Sequence, residues 1–235
     1  MHLKNLAKKI KDAAWVVLCK KFSLPEVLLR LPWLRQQVIR YFNILYYQDK
    51  IFDRTFWMGH ALQKHPADAF IIQEIITEKK PDVIIECGTY QGASALFMAS
   101  VSQTQVISID IAAQKNLPAH PRVRYLTGSS ADPKTLTLVK NLIQPNQQVM
   151  VLLDSLHTKE QVEKELQLYA PLVSPGQYLV VEDTNLHGHP VLPFAPPGPM
   201  EALAEFLPAH PEFSIDKSRE KFHTTFNPSG YLLKC

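Results

Sequence analysis

Apolar residues along this chain recur first at a helical period and later in short runs that alternate with helical stretches. In residues 1–46, Leu3, Leu6, Ala7, Ile10, Ala14, Val17 and Leu18 recur near a helical period with lysines between them, which predicts amphipathic helix. Pro25 and Pro32 break that stretch into short helices. Ala69, Phe70, Ile72, Ile75 and Ile76 then suit one face of a further helix, ended by Pro81. Val83 to Cys87 is a short apolar run bounded by proline and glycine, the pattern of a strand covered on both faces. Similar runs predict strands over 106–110, 123–126, 149–154 and 178–183, with helices over 93–100, 134–142 and 159–170 between them. A helix over 200–207 precedes two last strands, 213–216 and 230–234, which suit an antiparallel edge pair.

Strands alternating with helices imply βαβ units. The expected fold is α/β: a doubly wound, mostly parallel, seven-stranded sheet with a helical N-terminal arm. The arm is assigned to residues 1–50 and the domain to 51–235. The loop 184–199 is long and rich in proline, as expected of a wall over a binding site.

Charge sharpens this division. Residues 1–46 hold nine Lys/Arg against Asp12 and Glu26, a net +7; the whole chain is +3, and +3 minus +7 leaves −4 for the rest. A total near neutrality gives no reason to expect a nucleic-acid partner. The basic arm has two readings, a helix packed on the body or on a second copy of the chain, and a peripheral membrane contact. Cys19, Cys87 and Cys235 are scattered and odd in number, with no zinc spacing. They fit a reducing compartment. No apolar run is long enough to span a bilayer, and the N-terminus lacks a secretory pattern, so the expected location is cytoplasmic.

The strongest local signal is Glu86-Cys87-Gly88-Thr89-Tyr90-Gln91-Gly92-Ala93-Ser94, which leaves a strand and opens a helix. Glycines there permit close approach of backbone, and a helix N-terminus favours a carboxylate. The spacing is not that of a dinucleotide pyrophosphate loop, which speaks against a nicotinamide dehydrogenase. Asp110 ends the next strand; it suits either ribose hydroxyls or a turn cap. Gly128-Ser129-Ser130-Ala131-Asp132 suits either adenine contact or an N-cap before Pro133.

Asp154, Glu182 and Asp183 end the fourth and fifth strands, whose carboxyl ends meet in such folds. Three neighbouring acids repel unless protonated or holding a cation. Oxygen ligands favour Mg²⁺, with Mn²⁺ or Ca²⁺ as alternatives; loop capping is the other reading. His157, three residues after Asp154, is a candidate general base. His187 and His189 read as a hydrogen-bonded loop pair before metal ligands. His210 and Glu212 have the spacing of an iron site, but fall in a turn remote in sequence from the other candidates.

With these residues in view, the chain resembles a known family. The run 86–94, Asp154-Ser155-Leu156-His157, Val181-Glu182-Asp183-Thr184-Asn185, Gly188-His189-Pro190-Val191, Gly198-Pro199-Met200-Glu201-Ala202, Arg219-Glu220-Lys221-Phe222 and Thr225-Phe226-Asn227-Pro228-Ser229-Gly230-Tyr231 are similar to the cephalosporin hydroxylase family. Despite that label, the family comprises class I S-adenosylmethionine (SAM) methyltransferases related to rhamnosyl and macrolide-sugar O-methyltransferases. The resemblance covers about residues 55–235, including Trp57 to Leu62, Pro66 and Asp68. It implies a SAM site at Glu86, Gly88, Tyr90, Gly92, Ser94 and Asp110, to which Thr89 of the same turn and Ser129 and Ser130 after the third strand are added as candidate cofactor residues. It implies Mg²⁺ on Asp154, Glu182 and Asp183, His157 as base, and a sugar or sugar-bearing metabolite as hydroxyl acceptor. The competing expectation is a SAM-binding scaffold without catalysis, acting through its arm, with assembly into a homo-oligomer as a further use of that arm.

Overall fold

The structure is a computed structural model, and it describes residues 30–235. The expected helices before residue 30 lie outside the described residues. The chain divides into two compact units, residues 1–42 and 43–235. Helix α1 (Pro32–Gln48) begins at one of the two prolines expected to break the N-terminal segment; proline suits a first helical turn, where its missing N–H has no partner to lose.

The second unit carries the predicted sheet. A two-residue hairpin, β1 (Phe56–Trp57) and β2 (His60–Ala61), precedes α2 (Pro66–Lys79). Then follow β3 (Val83–Cys87), α3 (Ala93–Ser100), β4 (Gln105–Asp110), β5 (Val123–Thr127), α4 (Pro133–Leu142), β6 (Val149–Leu153), α5 (Lys159–Tyr169) and β7 (Tyr178–Val181). Helix α6 (Pro199–Phe206), β8 (Phe213–Ile215) and β9 (Tyr231–Lys234) complete the chain. The sheet order is β5-β4-β3-β6-β7-β9-β8. The first five strands are parallel, and β9 runs antiparallel to both β7 and β8, the edge pair expected from sequence.

Alternation along each strand builds two cores. Val83, Ile85 and Cys87 of β3 and Val149, Val151 and Leu153 of β6 face α4, α5 and α6, which bury Val139, Leu166, Tyr169 and Leu203 against them. Ile84, Met150 and Leu152 face the other way, onto Ile72, Ile75 and Ile76 of α2 and Met98 of α3. Burial on both faces explains why these strands read as continuous apolar runs. Between β3 and β6 the strand order reverses, so the loops after them part and leave a crevice at their carboxyl ends.

Candidate active site

The strand tips meet tightly. The amide of Asp154 donates to the Cys87 carbonyl at 2.8 Å, and that of Gly88 to the Ile109 carbonyl at 2.8 Å. Gly88 has φ of 108°, and a Cβ there would lie 1.8 Å from the Asp154 carbonyl oxygen. Its glycine is therefore required first by the neighbouring strand tip, not by a ligand as its motif suggests. The loop continues through Tyr90 (φ 46°) and Gly92 (φ 74°) into α3.

These tips border a cavity of about 550 Å³. Gly88, Thr89, Tyr90, Ser94, Asp110, Ser129 and Ser130 line it, as do Asp154, His157 and Asp183. Two of the expected cofactor residues do not. Glu86 is fully buried on the α2/α3 side of the sheet, accepting from Ser108 at 2.6 Å. Gly92 packs against Tyr125 and Pro118. Burial pushes the Glu86 carboxyl up to about 7, against the pull of Lys64 and Ser108. The Asp110 carboxylate accepts from the amides of Tyr90 (2.9 Å) and Ala112 (2.9 Å) while bordering the cavity. It thus fixes the loop as a cap and still faces the crevice. Asp132 does cap α4, accepting from the Lys134 amide at 2.9 Å. Ser130 in turn bonds the buried Glu165.

The acidic cluster differs from the sequence expectation in one respect. Asp154, His157 and Asp183 each offer a ligand atom within 4.8 Å of the others, and His157 Nε2 lies 3.1 Å from Asp183 Oδ2. Glu182 is outside that group. Its two oxygens accept from Lys64 Nζ at 2.6 Å, and the same ammonium reaches Asp154 Oδ2 at 2.8 Å. The Lys64 side chain is 1% exposed. Burial alone lowers a lysine; here Asp154 and Glu182 outweigh it and hold Lys64 charged. Burial and the nearby Asp154 push the Glu182 carboxyl well up, against the pull of Lys64. Enclosure also raises Asp183; His157 pulls it back down, and Asp154 adds to the rise. The sequence reading missed Lys64. Its segment, Gln63-Lys64-His65-Pro66, has no apolar period, and its partners lie 90 and 118 residues away.

A partly aromatic wall faces this cluster. Tyr47, Phe52 and Phe226 line the cavity with Leu156 and Leu186, and their rings meet at 5.3 to 6.1 Å. Burial raises the Tyr47 phenol, and the Asp183 carboxylate adds to the rise. Neither loop histidine lines the cavity: His189 Nε2 pairs with Glu201 Oε1 at 2.6 Å, and His187 packs against Gly198, where its charge also lowers Asp183. His210 stacks on Phe206 and bonds its carbonyl. Among the described residues, no helix is long and apolar enough to cross a membrane.

Comparison with known proteins bears on this geometry. The family described as Rhamnosyl O-methyltransferase/CmcI matches residues 48–235. The rhamnosyl O-methyltransferase of Mycobacterium leprae (strain TN) is 36% identical over 199 residues, 80% of this chain and 87% of that protein. Its counterpart from Mycobacterium tuberculosis (strain ATCC 25618 / H37Rv) is 34% identical over 200 residues, 80% and 82% of the two chains. A solved structure of CmcI with Mg and SAM superposes with a TM-score of 0.59 at 19% identity, over 78% of each chain. The O-methyltransferase from Bacillus cereus in complex with SAH superposes with a TM-score of 0.52 at 16% identity, over 76% of this chain and 80% of that one. At these identities the two structures speak for the fold alone.

Proposed function

The chain belongs to the rhamnosyl O-methyltransferase/CmcI family, and from that premise we propose that it methylates a hydroxyl of a deoxyhexose, or of a sugar-bearing metabolite, using SAM and Mg²⁺. The carrying observation is one cavity that holds both the glycine-turn loop and the Asp154–His157–Asp183 cluster. Residues 51–235 are the catalytic domain in this reading, and residues 1–50 the arm.

Gly88, Thr89, Tyr90, Ser94 and Asp110 would hold the cofactor, with Ser129 and Ser130 as candidates for its adenine. The acceptor lies against Tyr47, Phe52 and Phe226, whose faces suit the apolar face of a deoxysugar. The donor set fits a hard divalent cation, because carboxylate oxygens converge where the described residues offer one nearby lysine. Asp154 and Asp183 would hold it, with Glu182 behind them already shared with Lys64. A bound ion there makes a hydroxyl more acidic and orients it. His157 takes the proton released from the acceptor oxygen, and the Asp183 carboxylate beside it stabilises the imidazolium that forms. SAM, held by the glycine-turn loop, would supply the methyl group to that oxygen and leave as S-adenosylhomocysteine, and holding both partners in one cavity would supply much of the acceleration.

The test is incubation of the purified protein with methyl-labelled SAM and simple rhamnosides, with and without chelator. Label passes to the sugar only when Mg²⁺ is present. Equal transfer in excess chelator removes the metal from the mechanism. No S-adenosylhomocysteine (SAH) with any sugar acceptor removes the substrate class.

A further inference from the structure

The segment after β7 is shaped by another part of the chain. Asp183 has φ of 56°, a left-handed conformation disfavoured for a residue carrying Cβ. One turn, residues 226–230, bonds four groups along the Asp183 segment. The Val181 amide donates to the Gly230 carbonyl (2.8 Å), and the Asp183 amide to Asn227 Oδ1 (3.0 Å). The Thr184 hydroxyl donates to the Pro228 carbonyl (2.7 Å), and the Asn185 amide to the Phe226 carbonyl (3.0 Å). The fit is close: a Cβ on Gly230 would lie 2.1 Å from the Val181 carbonyl oxygen.

That turn is itself anchored. Asn227 is fully buried, and its Nδ2 donates to the Tyr231 hydroxyl at 3.4 Å. Tyr231 donates to Asp68 Oδ1 at 2.8 Å, and Asp68 also accepts from the Thr225 hydroxyl and, at 2.7 Å, from the Phe226 amide. Asp68 stands in the first turn of α2, four residues after Lys64. A buried polar chain therefore runs Asp68, Tyr231, Asn227, Asp183 and ends at the backbone of a cluster residue. Buried networks with their partners in place rigidify what they touch.

We infer that the 225–231 turn is the template for the segment 182–185, and that Asn227 is a positioning residue that sets the direction of the Asp183 carboxylate through its backbone amide. This rests on the reading that Asp154 and Asp183 hold a divalent ion. A purely structural turn would stabilise the β7–β9 edge and leave the geometry of the acidic cluster indifferent to the Asn227 side chain. A template makes ion affinity depend on that side chain, because ligand groups must be held close to their binding geometry.

The experiment titrates Mn²⁺ alone, and SAH separately, into the purified full-length protein, Asn227→Leu and Tyr231→Phe. Neither residue lines the cavity. Asn227→Leu is expected to bind Mn²⁺ at least tenfold more weakly, and Tyr231→Phe severalfold, with SAH affinity within twofold of the original in both. Unchanged Mn²⁺ affinity in folded Asn227→Leu overturns the inference, as does a loss of SAH binding in step with Mn²⁺. If Asn227→Leu does not fold, Tyr231→Phe decides alone, since it removes one hydroxyl and keeps the ring. Failure of the unaltered protein to bind Mn²⁺ would instead overturn the metal reading, and the template with it.

Discussion

Lys64 shows how much one side chain can settle. Its ammonium is the cation for Glu182 and, in part, for Asp154, and it opposes the burial and the neighbouring Asp154 charge that push the Glu182 carboxyl well up. Breaking a buried pair by removing one partner costs about 3–5 kcal/mol. Lys64→Met should therefore lower stability by that order in urea unfolding. It should also make the fold more dependent on divalent ions, because the freed carboxylates then have no other ion-pair partner among the described residues. Thermal melts with Mn²⁺ and with chelator check this: the variant should gain more in Tm from Mn²⁺ than the original protein does. Equal gains would mean that the lysine and the ion do not share one cluster. His157→Ala should lower kcat by about 10² to 10⁴, the usual contribution of a positioned base. Asp154→Ala should abolish turnover. In both variants, SAH affinity measured by calorimetry should survive, and its loss would mean that these side chains serve the cofactor. Candidate acids and His157 were legible in sequence because strand ends can be counted along the chain. Their division of labour was not, since it depends on an ion pair formed across 118 residues.

Elements were legible where an apolar period runs long enough to declare itself. The five parallel strands and the helices between them fall within a few residues of their expected bounds, and the edge pair is antiparallel as expected. The hairpin β1–β2 was missed because two-residue strands carry no alternation. The meaning of Gly88 was also hidden: the pattern identifies a sharp turn, but only the sheet shows that the Asp154 carbonyl occupies the place of its Cβ. The same limit applies to the wall proposed for the acceptor, assembled from the end of α1, the turn at Phe52 and the 225–231 turn. Tyr47 and Phe52 are partly exposed along that wall, so loss of one ring should cost binding before it costs folding. Tyr47→Ala should raise the KM for a rhamnoside acceptor about tenfold, the equivalent of ~1.4 kcal/mol, while SAH affinity stays level. Tyr47→Phe should keep most of the binding if the ring face carries it. An acceptor KM unmoved by Tyr47→Ala would take the sugar away from this wall.

At the scale of the molecule, the sheet isolates its charges on two sides, and that sets how stability follows pH. Cluster residues sit at the strand tips beside solvent, whereas Glu86 lies within the α2/α3 face among apolar residues, fully buried. Its carboxyl is pushed up to about 7 in the folded chain, against an ordinary value of 4.5. Between those two values the folded state binds more protons than the unfolded chain. By linkage, this group's contribution to stability is fully present below pH 4.5 and is lost as pH rises to 7. Other groups bend the curve too. Asp68, at about 6, acts in the same direction, and His65, lowered to about 4 by burial, acts in the opposite one by gaining stability as pH rises toward 6.5. The difference between the protein and Glu86→Gln cancels both, since the amide keeps the shape and an acceptor for Ser108 but has no charge to bury. That difference should move in favour of the variant by about 3 kcal/mol between pH 4.5 and 7, since a tenfold change in proton affinity is worth ~1.4 kcal/mol, and then level off. Urea unfolding of both proteins at several pH values measures it. Parallel curves through that window would mean that Glu86 ionises in the fold as easily as in water, and that Lys64 reaches past the cluster at the strand tips to hold its charge.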